Sequence, residues 1–164
     1  MGDQTTPGGG ASHMVDISGK AATRRVAVAE AQVHLSEAAR RALDEGTLPK
    51  GPPEEPARLA GIMAAKRCSE LIPFCHPIAL NHAEVEITRT DYGVVLRATT
   101  SAEAATGVEM EALTAVTVAA LTVYDMCKAL DPAATIEGVR VVSKRGGKGG
   151  DWRREPAEPN AAES

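Results

Sequence analysis

The sequence predicts an α+β domain: a ferredoxin-like two-layer sandwich with helices packed on one antiparallel sheet. Three observations predict it. Runs of strand and helix periodicity follow one another in the order β-α-α-β-β-α-β, which is βαββαβ with one extra short helix. Asp91-Tyr92-Gly93 separates two alternating runs, as a hairpin turn does. The apolar content is 43% with only 2% aromatic, so the core is built from small side chains that let helices lie close to a sheet.

The elements justify themselves in order. Residues 1–13 are Gly- and Thr-rich and read as a disordered lead-in to which no function is assigned. From Arg25 to Leu35, Val26, Val28, Val33 and Leu35 roughly alternate with other residues, as in a strand. Ser36 and Glu37 open a short helix that Gly46 closes. After the Leu48–Pro53 loop, a helix is expected from Glu54 to Glu70, with Leu59, Ile62 and Met63 at helical spacing and Pro73 as the stop. Strands follow at Ala83–Thr90 and Val94–Thr100. Thr106-x-x-Glu109 has capping-box spacing before a long helix from Val108 to Leu130, which Asp131-Pro132 ends. Ile136–Lys144 is a last strand, and a Gly-rich basic loop comes after it. One catalytic-sized domain is expected over residues 14–152, with a Pro-, Ala- and Glu-rich disordered tail over 153–164.

Composition excludes several functions. A net charge of −4 and four aromatic residues suit neither phosphate-backbone binding nor base stacking, so nucleic acid is not an expected partner. No stretch reaches the roughly 20 apolar residues of a membrane span. The N-terminal residues do not read as a signal peptide. Three cysteines without paired spacing fit a reducing compartment, the cytoplasm.

Several residues can carry chemistry. Pro73-Phe74-Cys75-His76-Pro77 holds a reactive pair between two prolines; an incidental His in a helix-to-strand connection is the competing reading. Adjacent side chains diverge, which disfavours both a metal site and a Cys-His nucleophile there. Cys68 and Cys127 sit among apolar helical residues and read as core thiols. The long helix carries Glu109, Glu111, Asp125 and Lys128. Glu111 and Asp125 are fourteen residues apart on nearly one face, roughly 21 Å along the axis. A small ligand cannot touch both on one helix, so either the ligand is long or the two helix ends serve different sites, as in an oligomer. Asp125 and Lys128 could form a plain surface ion pair, or a used pair, because Asp125 follows an apolar run. Lys50 lies in a loop stiffened by Pro and Gly, and Lys144 and Lys148 flank a glycine turn whose N–H groups suit phosphate oxygens. Several cations with few carboxylates suit a polyphosphate.

These segments resemble one family. Met14–Lys20, Ala60–Arg67, Leu71–Pro77, Thr106–Ala115, Leu121–Ala129 and Gly146–Lys148 are similar to the cyclic pyranopterin monophosphate synthases, the MoaC family of molybdenum cofactor biosynthesis. The resemblance runs from Met14 to about Trp152. It implies a lyase that converts a cyclised GTP derivative, 3′,8-cyclo-7,8-dihydroguanosine triphosphate, into cyclic pyranopterin monophosphate and diphosphate. It implies proton transfers without redox chemistry. No cofactor and no metal-ligating residues are expected, and the sequence does not decide whether Mg²⁺ escorts the leaving diphosphate. It also implies a homohexamer, a trimer of dimers with sites at dimer interfaces, and a functional partnership with the radical enzyme that makes the substrate.

Matched residue by residue, the family's catalytic groups fall on Asp125, Lys50, Lys128 and His76. Its substrate-binding positions fall on Phe74, Cys75, His76, Glu109, Met110, Glu111, Arg25, Lys144 and Lys148. Ala104 and Ala105 stand where the family usually carries a Gly and a basic residue. Without the resemblance, a non-catalytic oligomeric module that binds a nucleotide or anion through its lysines is the competing reading. An aspartate among those lysines argues against it, because it weakens anion binding.

Overall fold

The computed structural model describes residues 12–155. Its elements are β1 (Thr23–His34), α1 (Glu37–Glu45), α2 (Glu54–Lys66), α3 (Cys68–Leu71), β2 (His82–Thr90), β3 (Gly93–Ala104), α4 (Glu109–Cys127), β4 (Thr135–Arg145) and β5 (Trp152–Arg153). The sheet order is β2-β3-β1-β4-β5, with every neighbouring pair antiparallel. The four long strands thus have the arrangement of a ferredoxin-like sandwich, as expected.

The core follows from alternation. In β1, Ala27, Ala29, Ala31 and Val33 point to the helices and are fully buried, while Val28, Glu30 and Gln32 are half-buried on the other face. Against them lie Ala112, Ala115, Val116, Ala119, Ala120 and Val123 of α4. By length and composition α4 is apolar enough to cross a membrane, yet ten of its residues, from Glu111 to Cys127, are buried inside this domain.

Five expectations need correction. The helix expected over Glu54–Glu70 stops at Lys66: Arg67, at φ −112° and ψ 15°, breaks it, and the one-turn α3 then seats the Cys68 thiol against Thr114 Oγ1 at 3.4 Å. Leu59 and Met63 are not its packing face. Ala57, Gly61, Ala64 and Ala65 are, and Leu59 and Met63 face outwards. The cause is close approach: a Cβ on Gly61 would stand 2.8 Å from the Ala115 carbonyl oxygen of α4. No capping box forms at α4, because Val108 occupies the cap and no side chain among the described residues caps the helix. Glu109 turns instead to Lys144, with 3.1 Å between their charged atoms. The same helix ends at Cys127 rather than Leu130; beyond it, Asp131 is buried and accepts the Ser36 N–H at 2.6 Å, tying α4 to the start of α1. Finally, Arg153 does not begin a disordered tail: Trp152 and Arg153 pair with Lys144 and Ser143, and the Arg154 N–H donates to the Val142 carbonyl at 2.8 Å. Residues 156–164 of that expected tail lie outside the described residues, as do residues 1–11 of the expected lead-in.

Candidate active site

Three groups of predicted residues come together around α4, two at its start and one at its end. At the start is a cleft of about 350 Å³. Phe74, Cys75 and His76 form one wall, Met110 and Glu111 another, and Val15 and Ile17 of the N-terminal segment a third. The turn after α3 brings Cys75 here, since its N–H donates to the Ile72 carbonyl at 3.1 Å. His76 Nε2 lies 2.8 Å from the Val15 carbonyl oxygen. Glu111 is 2% exposed, and its Oε2 is buried with no hydrogen-bond partner among the described residues. Burial, and secondarily the Glu109 charge, raise its pKa above the ordinary carboxylate value. An unsatisfied buried carboxyl is costly in a bare protein and suits a site that receives a polar ligand.

Beside this cleft, and sharing Gly107 with it, is a smaller basic pocket walled by Arg25, Glu109, Lys144, Arg145 and the glycine turn. Arg25 lies across the turn: its Nε donates to Ala104 O at 3.3 Å and its Nη1 to Gly146 O at 3.5 Å. Gly147 makes this possible, having φ +83° and leaving no room for a Cβ, which would meet Arg25 Nη1 at 1.7 Å. Lys144 faces this pocket while paired with Glu109, so part of its charge is already offset. Lys148 is exposed and stands outside the pocket walls.

At the far end of α4, Asp125 sits between two lysines. Lys50, carried by the Pro/Gly loop, donates to Asp125 Oδ2 at 2.5 Å, and Lys128 reaches Oδ1 at 2.7 Å. Hydrogen bonds from Lys128 and then Lys50 hold the Asp125 pKa down to about 2, and Asp125 in turn raises that of Lys128. At neutral pH Asp125 is thus an ionised carboxylate with both lysine side chains held against it. All three side chains are about half-exposed, so the pairing contributes little to stability and leaves the amines open to a ligand.

Cys68 and Cys127 are buried, and burial pushes both thiols up to about 11, as befits core residues. Sequence reasoning passed over His13, Val15 and Ile17 as walls of the cleft. The signal was there in the alternation of Val15 and Ile17 with polar neighbours, but the segment is too short to declare what it packs on.

Fold and site together define a class: a small α+β domain with a carboxyl-lined cleft and basic turn at one end of its central helix and a Lys-Asp-Lys cluster at the other. The chain belongs to the MoaC family, whose model matches residues 14–147. It is 51% identical over 145 residues to a cyclic pyranopterin monophosphate synthase of Novosphingobium aromaticivorans, covering 88% of this chain and 92% of that one. A protein of the same name from Chloroflexus aggregans is 51% identical over 148 residues, covering 89% and 90%. One from Nostoc sp. is 54% identical over 147 residues, covering 88% of each.

Proposed function

We propose that this protein is a cyclic pyranopterin monophosphate synthase, a lyase of molybdenum cofactor biosynthesis that converts 3′,8-cyclo-7,8-dihydroguanosine triphosphate into cyclic pyranopterin monophosphate and diphosphate. Identity above half over nearly nine-tenths of the chain with proteins of that name supports the activity. The observation that carries the site is the Lys50-Asp125-Lys128 cluster. A module that only binds anions gains nothing from a carboxylate that neutralises two of its lysines.

The chemistry divides among the groups. Forming a cyclic monophosphate from a triphosphate requires a substrate hydroxyl to attack the innermost phosphorus while diphosphate leaves. Arg25 and Lys144, which wall the basic pocket, offset the charge that grows on the departing oxygens, with Lys148 on the exposed glycine turn beside it. His76 and Glu111, with Phe74, Cys75, Met110 and Glu109 around them, hold the purine-derived rings. The ring opening and rebuilding need protons moved at fixed points. Asp125, held ionised at neutral pH, is not the proton donor; it fixes the side chains of Lys50 and Lys128, the groups to which we assign the proton transfers.

One chain cannot join the two ends of α4 around one small substrate, because they are separated by roughly 21 Å of helix. We therefore place the working site between two copies, with the cleft of one facing the lysine cluster of the other, in a hexamer built as a trimer of dimers. The enzyme works in the cytoplasm beside the radical enzyme that supplies its substrate. Incubation of the purified protein with the cyclised triphosphate, followed by chromatography of the pterin product and assay of diphosphate, tests the proposal. Unchanged substrate after incubation with micromolar enzyme overturns it.

A further inference from the structure

We propose that the N-terminal segment from His13 to Ile17 is a strap that roofs the cleft and, through the Val15 carbonyl, commits His76 to one tautomer, with Nε2 carrying the proton and Nδ1 left as acceptor. The segment has no helix or strand of its own, yet Val15 and Ile17 form part of the cleft wall. Its seating is specific. Ile17 is half-buried, and the chain just beyond it is closed into a turn: Asp16 Oδ1 accepts from Ser18 N at 2.8 Å and Ser18 Oγ at 2.6 Å, and Lys20 N donates to Ile17 O at 3.0 Å. That local turn closes the end of the strap, and Val15, 60% exposed, lines the mouth of the cleft.

The tautomer follows from elementary donor and acceptor logic. A carbonyl oxygen only accepts, so the contact of 2.8 Å requires a proton on His76 Nε2. In the neutral ring, Nδ1 is then the one remaining polar atom and can only accept. The cleft wall also includes Glu111, whose Oε2 has no hydrogen-bond partner among the described residues and whose protonated form burial favours. A His acceptor and a carboxyl able to donate form a complementary pair for a heterocycle that presents both a ring N–H and an acceptor atom, as a guanine-derived ring does. His76 is thereby read as a binding and proton-accepting group oriented by the strap, and the strap itself is a positioning element.

This ligand assignment rests on the proposed function; the tautomer does not, and the test keeps them apart. Nitrogen-15 NMR of the full chain at about pH 9, where imidazole is neutral, should show His76 protonated at Nε2. In Ile17→Asp, which places a charge on the half-buried contact of the strap, the His76 ring should become a mixture of tautomers. KM for the cyclised triphosphate should rise about tenfold, the scale of one lost hydrogen bond. A proton on Nδ1 in the unaltered chain, or the same single tautomer in Ile17→Asp, overturns the strap. An altered tautomer with unchanged KM overturns its part in substrate binding. If the tautomer responds as expected but neither protein turns over the cyclised triphosphate, the strap stands and the proposed substrate falls.

Discussion

Asp125 is the residue whose environment says most about the chemistry. Two ammonium groups hold its pKa at about 2, against an ordinary 3.8. A depressed carboxylate contributes stability that is present above the ordinary value and lost as pH falls through the folded one. Asp125 therefore stays ionised at pH 4 to 5, and a fall of activity there belongs to other groups. Asp125→Asn keeps the shape and should leave the melting temperature nearly unchanged, since half-exposed pairs contribute little. Turnover should drop by about 10²-fold or more. Lys50→Ala and Lys128→Ala should each do the same, and the double variant should lose less than the product, as groups acting together do. Near-normal steady-state rates in folded variants would reduce the cluster to a surface ion pair. Glu111 has the opposite sign. Its folded pKa is raised, so its contribution is present below the ordinary 4.5 and is lost as pH rises through the folded value. Glu111→Gln should thus gain thermal stability relative to the unaltered chain at pH 8 more than at pH 5, while binding substrate worse. An equal difference in melting temperature at both pH values would show that burial does not hold the proton there.

At the scale of elements, the contact between α2 and α4 is set by Gly61. A Cβ there would meet the Ala115 carbonyl oxygen at 2.8 Å, Val85 Cγ2 at 2.9 Å and Ala119 Cβ at 3.2 Å. Two of these groups belong to the central helix and one to β2, so relief requires the whole helix to move. Gly61→Ala should therefore destabilise by about 1–3 kcal/mol despite Ala's better helix propensity, read from urea unfolding. A stabilised variant would show that the two helices separate freely. The same contact explains why α2 shows its Leu and Met residues to the outside: only small residues fit where the helices touch. The break at Arg67 serves a second contact with α4. A straight continuation of α2 would not deliver Cys68 onto Thr114 and then return Cys75 to the cleft.

For the molecule as a whole, the outward residues carry the prediction. Leu59 is 60% exposed, Leu121 51% and Met63 43%, on the two helices that cover the sheet. Apolar side chains at these levels on packed helices suit cover by a second copy, and the separation of the two site halves along α4 asks for one. Sedimentation velocity at micromolar concentration should show an assembly, and Leu59→Glu combined with Met63→Glu should shift it towards smaller species with loss of activity. A well-behaved monomer of the unaltered chain would remove both the interface and the composite site.

The sequence by itself determined the order of the long elements, α3 and β5 apart, because alternation and helical spacing are local and strong in β1, β2, β3 and α4. It also determined the fold class, because a hairpin between two crossovers leaves few ways to build one sheet. The site residues were legible as residue types at unusual places: a Lys in a stiff loop, a Cys-His between prolines, an Asp after an apolar run. The tertiary structure alone decided which of them meet. Lys50 reaches Asp125 across 75 positions of chain, and Lys144 meets Glu109 rather than leaving it to a capping box. It decided the packing face of α2, since volume at a helix contact depends on the neighbour and not on spacing. It decided the added strand at Trp152 and the roles of Val15 and Ile17, whose segments are too short to show a period. Local pattern fixes what a segment becomes; the sum of close contacts between distant segments fixes what it touches, and the chemistry proposed here lies in those contacts.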